Sequence, residues 1–174
     1  MDNGSKKIID ELHTANSLVD NLLLEYATPD NTGKKFYKLP PPTPNRPGAI
    51  CLTAISPSDF ELLISEFFKK RHYTNVSVVG RSGDRGVDII ATNSSGQREF
   101  IQCKRWRRGK VGSRDIQRIN SMIRSRGAVK GWVITTSDFT SDGADEARIT
   151  HVVTMNGTEL LQSLDVYWPN KYSL

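Results

Sequence analysis

Apolar side chains at Ile8, Ile9, Leu12, Ala15, Leu18, Val19, Leu22 and Leu23 recur close to once every 3.6 residues, so residues 5–27 are predicted to form one amphipathic helix. A polar stretch follows, and then five prolines between Pro40 and Pro47, a density that excludes helix and sheet interior alike and favours an extended connection. The expected organisation is therefore a helix and proline-rich connector over residues 1–47 and a larger domain over residues 48–174.

Inside the larger domain the period changes several times. In SPSDFELLISEFFKKRHY, Phe60, Leu63, Ile64, Phe67 and Phe68 form one helical stripe, with Ser56 or Ser58 as the cap. A short strand is expected at Val76 to Val79. The Gly-rich turn GRSGDRG leads into a second at Val87 to Thr92, and NSSG turns the chain into a third at Arg98 to Arg105. Ser113 is expected to cap a helix running to about Arg126, with Ile116, Ile119 and Ile123 as its apolar stripe. A β-branched strand at Gly131 to Thr136, a helix from about Thr140 to Ile149, a strand near Val152 to Met155 and the short helix GTELLQSL complete the chain. This order predicts an α/β fold with a central mixed sheet flanked by helices, carrying an N-terminal helical extension.

Composition narrows the class. Hydrophobic residues make up 37% and charged residues 25% of the 174, ordinary for a globular chain. No apolar run is long enough to span a bilayer and MDNGSKK lacks the apolar core of a signal peptide, so no membrane association and a cytoplasmic location are expected. Cys51 and Cys103 stand alone, without the neighbours that a zinc site or disulfide framework needs. His13, His72 and His151 are scattered and read as structural or surface residues. The net charge of +5 is not spread evenly: residues 98–126 hold ten Lys/Arg against two Asp/Glu, and the rest of the chain holds no excess. Such clustering fits either phosphate-backbone binding or a solvated basic face.

The chemistry concentrates in GDRGVDIIATNSSGQREFIQCKRW. Strand alternation puts Phe100, Gln102 and Lys104 on one side and Ile101, Cys103 and Arg105 on the other. Asp88 is the only acid of the preceding strand, and the hairpin brings it toward Gln102. Two readings of the trio stand open. In one, Asp88 and Lys104 form a structural salt bridge; in the other, Asp88 and Gln102 hold a hard divalent cation through oxygen and Lys104 meets an anionic substrate. Oxygen donors suit Mg²⁺ or Mn²⁺ better than Zn²⁺. Asp84, in the Gly-rich turn, reads first as a residue bonding its own backbone.

Four ordered blocks, GRSGDRGVDIIA, FIQCKRW, GWVITTSDFTSDGADEA and MNGTELL, together resemble the Mrr-like restriction endonuclease catalytic domain of the PD-(D/E)xK nuclease superfamily, over roughly residues 57–164. The resemblance implies a restriction-endonuclease-like core, places Asp88 on the catalytic aspartate, and places Gln102 and Lys104 on a Q-x-K motif where many superfamily members carry Glu-x-Lys. It also implies an acid on the first helix. Glu61, on the flank of the apolar stripe, is the candidate, and Glu66, on the opposite flank, reads as a surface acid. The backbone carbonyl of Cys103 is a further implied metal ligand, its side chain a core residue.

The expected activity is hydrolysis of DNA phosphodiesters with Mg²⁺, or Mn²⁺ in its place, in restriction or defence against foreign DNA. Arg105, Arg107, Arg108, Lys110, Arg114 and Arg118 are expected to hold the backbone of double-stranded DNA, with Trp106 packing on DNA or covering the core. A homodimer or higher oligomer is expected, and the helix over Ile8 to Leu23 would dock a second copy or a regulatory NTPase. A structure-selective repair or junction nuclease would share the site, and a non-catalytic DNA-binding or assembly module would share the fold.

Overall fold

The computed structural model describes residues 27–29, 35–37, 46, 48–79, 86–150 and 152–174. The predicted N-terminal helix, most of the proline-rich connector, Asp84, His13 and His151 lie outside them. The chain divides into two units, Met1–Pro41 and Pro42–Leu174. In the first, strands β1 (Ala27–Pro29) and β2 (Lys35–Tyr37) pair antiparallel, Ala27 opposite Tyr37. The sequence reading has no strand there and takes the segment as a connection; DNTG between the two strands is the hairpin signal it passes over.

In the second unit, β3 (Ile50–Cys51) precedes helix α1 (Pro57–Lys70). Ser56 caps α1 by accepting from Asp59 N at 3.0 Å, proline fills the first position where no amide hydrogen is needed, and Lys69 and Lys70 close the last turn. Strands β4 (Thr74–Val78), β5 (Ile89–Thr92) and β6 (Arg98–Lys104) then form an antiparallel meander. After the two-residue β7 (Lys110–Val111), helix α2 (Ser113–Arg126) crosses over to β8 (Lys130–Thr135), which lies parallel to β6 with Gln102 opposite Val133. The cap of α2 is Gly112, with no side-chain bond, and Ser113 is already inside the helix; this corrects the expected serine cap. At its other end Gly127, at φ 68, takes the left-handed conformation that terminates the helix.

Strand β9 (Asp138–Phe139) pairs with β7, helix α3 (Ser141–Ile149) follows from a Thr140 cap, and β10 (Val152–Met155) runs parallel to β8. Helix α4 (Gly157–Tyr167) opens with a reciprocal capping box between Asn156 and Glu159, and β11 (Tyr172–Ser173) returns beside β3. The central sheet therefore has the order β10-β8-β6-β5-β4, parallel on one side of β6 and antiparallel on the other.

Both faces are covered. Phe60, Ile64, Phe67 and Phe68 of α1 and Leu160, Leu161 and Leu164 of α4 pack with Ile89, Ile101, Trp132 and Ile134 on one face. On the other face, Ile116, Ile119, Met122 and Ile123 of α2 and Ala147 of α3 pack with Phe100 and Val133. Burial on both sides explains why β8 reads as an unbroken apolar run instead of an alternating one. The α/β class with a central mixed sheet flanked by helices is the architecture found.

Candidate active site

Side-chain parity breaks at Asp88. Ile89 belongs to the α1/α4 face and Val87 to the α2/α3 face, although residues two apart on a regular strand share a face. The backbone explains the break: Ile89 is in register with Ile101, yet Asp88 N also donates to Ile101 O, at 2.9 Å. Two residues thus answer to one, the arrangement of a β-bulge, which re-aims the side chain it carries. Asp88 Oδ2 accepts from Cys103 N at 2.7 Å, which pins the carboxylate across the strand pair at the end of β6.

Glu61 of α1 reaches the same place. Its carboxyl is raised above the ordinary 4.5, first by burial and then by the neighbouring charge of Asp88. The Cys103 thiol, packed against the α1/α4 core, is pushed well above its ordinary value by burial and then by the charges of Asp88 and Glu61. These shared effects put Asp88, Glu61 and Cys103 in one neighbourhood. Glu66, by contrast, is exposed and pairs with Lys69 at 2.6 Å.

Gln102 and Lys104 follow the alternation and turn toward α2. Gln102 is 2% exposed, and its Oε1 is buried without a hydrogen-bond partner. Its amide head lies against Gly86, two residues before Asp88: a Cβ at Gly86 would stand 2.9 Å from Gln102 Nε2 and 2.6 Å from Arg118 Cδ, and φ there is +92°. Glycine is thus required both for the backbone conformation and for the close approach. Lys104 makes its short ion pair with Asp115 of α2, at 2.9 Å, a partner that the sequence reading does not single out. Its Nζ also lies 5.9 Å from the centre of the Trp106 ring.

The basic segment beyond β6 is anchored, not loose. Arg105 Nη1 and Arg107 Nε both donate to Thr53 O, at 3.1 and 3.0 Å, so two guanidiniums share one carbonyl of the loop between β3 and α1. Trp106 packs against the α2/α3 core, and its backbone is held at both N and O by Thr136 Oγ1. Ser137 Oγ donates to Gly109 O, and Lys110 pairs with Asp138 at 3.0 Å, which holds that carboxylate below its ordinary range. Residues 136–138 therefore fix the loop. An open hollow of about 530 Å³ is lined by Arg105, Trp106, Arg107 and Arg108. Arg114 and Arg118 are exposed on α2. Gln117 bonds Glu146 of α3 at 3.1 Å.

Asp115, the Thr53 carbonyl and the Gly86 contact are the site features missed from sequence. The first two depend on which elements pack together, for which a single sequence carries no signal. Gly86, two residues before Asp88, carries a sequence signal for a close approach.

The profile of the restriction endonuclease family, in its Mrr catalytic form, matches residues 52–164. Among curated proteins, the type IV methyl-directed restriction enzyme EcoKMrr of Escherichia coli (strain K12) is 31% identical over 117 residues, covering 63% of this chain and 38% of that protein. The chain thus spans well under half the length of the relative it matches. Among solved structures, AF1548, described as a protein of unknown function, superimposes with TM-score 0.53 at 12% identity, covering 62% of this chain and 65% of that one, a likeness of fold alone. The MspJI restriction endonuclease in complex with a 27-mer oligonucleotide gives TM-score 0.48 at 23% identity, over 64% of this chain and 28% of that one. With the matched segment running from the loop before α1 into α4 and taking in every site residue described above, the chain belongs to the Mrr-type restriction endonuclease family.

Proposed function

We propose that this chain is a divalent-metal-dependent DNA endonuclease acting in restriction, with Asp88, Gln102, Glu61 and Lys104 at its centre. The observation that carries the reading is the buried Gln102 Oε1, which has no hydrogen-bond partner and sits one residue from the amide that binds Asp88. A buried, unpaired polar atom costs about 1–3 kcal/mol, and a cation would recover it.

The donor set fits a hard ion. The oxygen donors of Asp88, Gln102 and Glu61, with the Cys103 carbonyl as a candidate fourth, are of the kind that Mg²⁺ and Mn²⁺ take. Mg²⁺ or Mn²⁺, when bound, would supply Lewis acidity at the scissile phosphate and at the attacking water. Asp88 is held ready for that role by Cys103 N. Glu61, whose carboxyl is raised above its ordinary value by burial and by the charge of Asp88, would be a further oxygen ligand. Lys104 donates to the non-bridging phosphate oxygens and stabilises the charge that builds there. Arg105, Arg107, Arg108, Lys110, Arg114 and Arg118 neutralise flanking phosphates, contacts that position DNA without reading its sequence.

EcoKMrr is named as a methyl-directed enzyme, which makes modified DNA the first substrate to try. Cutting both strands takes two centres or two visits by one; we read the working unit as a homodimer, with the segment Ile8 to Leu23 docking a second copy or a regulatory NTPase. The test is conversion of supercoiled plasmid, methylated and unmethylated, with Mg²⁺, Mn²⁺ or EDTA. Nicking or linearisation is expected only with metal, and is expected to be lost in Asp88→Ala and Lys104→Ala. Plasmid left intact by the wild type under every condition would contradict the reading.

A further inference from the structure

The Lys104 ammonium is held by the chain's own side chains. Its Nζ is 2.9 Å from Asp115 Oδ1, and the two side chains are only 18% and 19% exposed. An ion pair so largely withdrawn from water is far less screened than a surface pair. Trp106 flanks the same ammonium at 5.9 Å, and Thr136 Oγ1 in turn fixes the Trp106 backbone. Asp115 lies in the first turn of α2, where the helix dipole favours a carboxylate and Asp115 N bonds Gly112 O at 3.2 Å. Immediately beyond it Ile116 is fully buried, so the helix that carries the carboxylate is clamped to the sheet.

A lysine on a four-carbon stem has many rotamers, and a fixed carboxylate at the right distance selects one of them. We propose that Asp115 is a positioning residue for phosphodiester cleavage, holding the Lys104 ammonium at the end of β6 where it meets the scissile phosphate. The proposal rests on the nuclease reading above and adds the residue through which Lys104 acts.

The test compares wild type, Asp115→Asn and Asp115→Glu in three readouts: plasmid cleavage with Mg²⁺, DNA affinity, and the ¹⁵Nζ resonance of Lys104 in the metal-free protein. Asp115→Asn is expected to lower kcat by about 10- to 100-fold, as loss of an outer supporting partner does, with KM and DNA affinity unchanged. Asp115→Glu restores most of the rate, and the Lys104 resonance shifts or broadens in the Asn variant alone. A merely structural contact would lower the melting temperature and leave kcat intact in the folded protein. Equal kcat in wild type and Asp115→Asn overturns the proposal while leaving the nuclease reading standing. Should the wild type itself fail to cut, the nuclease reading falls, and a Lys104 resonance indifferent to Asp115→Asn overturns the pairing as well.

Discussion

At Asp88 one residue of slippage decides what the site can be. Regular alternation would bury its carboxylate with Ile90 and Phe100, whereas the bulge puts it within reach of Cys103 N and of Glu61. Glu61 records the consequence. Its pKa is raised in the folded chain, so that state holds a proton where the unfolded chain has released it, and the contribution of Glu61 to stability falls as pH rises above about 4.5. In EDTA, Glu61→Gln is therefore expected to be more stable than wild type at pH 7 and to lose that advantage near pH 4, as read by thermal melts across pH. Parallel profiles for the two proteins would show that Glu61 is not confined beside Asp88. Gly86→Ala is expected to cost about 1–3 kcal/mol by urea denaturation, since it forces a Cβ onto Arg118 and Gln102 at a positive φ. A variant as stable as wild type would mean that the Gly86 segment does not press on the Gln102 amide. Alternation places Gln102 and Lys104 on one side of β6, as found, and the roles proposed for them and for Asp88 come from the family resemblance. The bulge was not legible, because it depends on how β5 pairs with β6.

Elements long enough to show a period were readable, and short ones were not. The stripes of α1 and α2 and the strands β5, β6, β8 and β10 follow from hydrophobic spacing. The two-residue strands β3, β7, β9 and β11 have no period to show; they exist because distant segments meet, as when Thr140 N donates to Val111 O at 2.9 Å. The sequence also hides what ties the elements at the end of the sheet away from the site. Glu99 is 1% exposed, and its carboxylate accepts from Trp132 Nε1 at 2.7 Å, Asn93 Nδ2 at 3.0 Å and Tyr73 Oη at 3.1 Å. Tyr73 answers with a pKa pushed up to about 12, by burial first and the Glu99 charge second. One acid thus joins the β5–β6 turn, β8 and the entry to β4, and from the sequence it is only an ordinary strand glutamate. Glu99→Ala removes the acceptor of the buried Trp132 indole N–H and of two half-buried donors, and is expected to destabilise the fold by about 3–5 kcal/mol in chemical denaturation. A loss below about 1 kcal/mol would show that water replaces the carboxylate.

Over the whole molecule, charge and anchoring fall together. The ten basic residues of positions 98–126 include Arg105 and Arg107 on the Thr53 carbonyl and Lys110 on Asp138, so the basic segment is held in shape by the chain's own contacts. If Arg105, Arg107, Arg108, Lys110, Arg114 and Arg118 each neutralise one phosphate, as proposed, the slope of log K against log salt concentration is about −5. Arg108→Ala is expected to make that slope shallower by about 1 in fluorescence anisotropy titrations. A slope near zero would remove the basic segment from the interface. The measurement that bears most directly on the centre is titration of the wild type and Asp88→Ala with Mn²⁺, followed by the electron paramagnetic resonance of the free ion. We predict saturable uptake by the wild type that Asp88→Ala abolishes and Gln102→Ala weakens. Equal uptake by wild type and Asp88→Ala, or none by either, would contradict a metal centre at the end of β5 and β6.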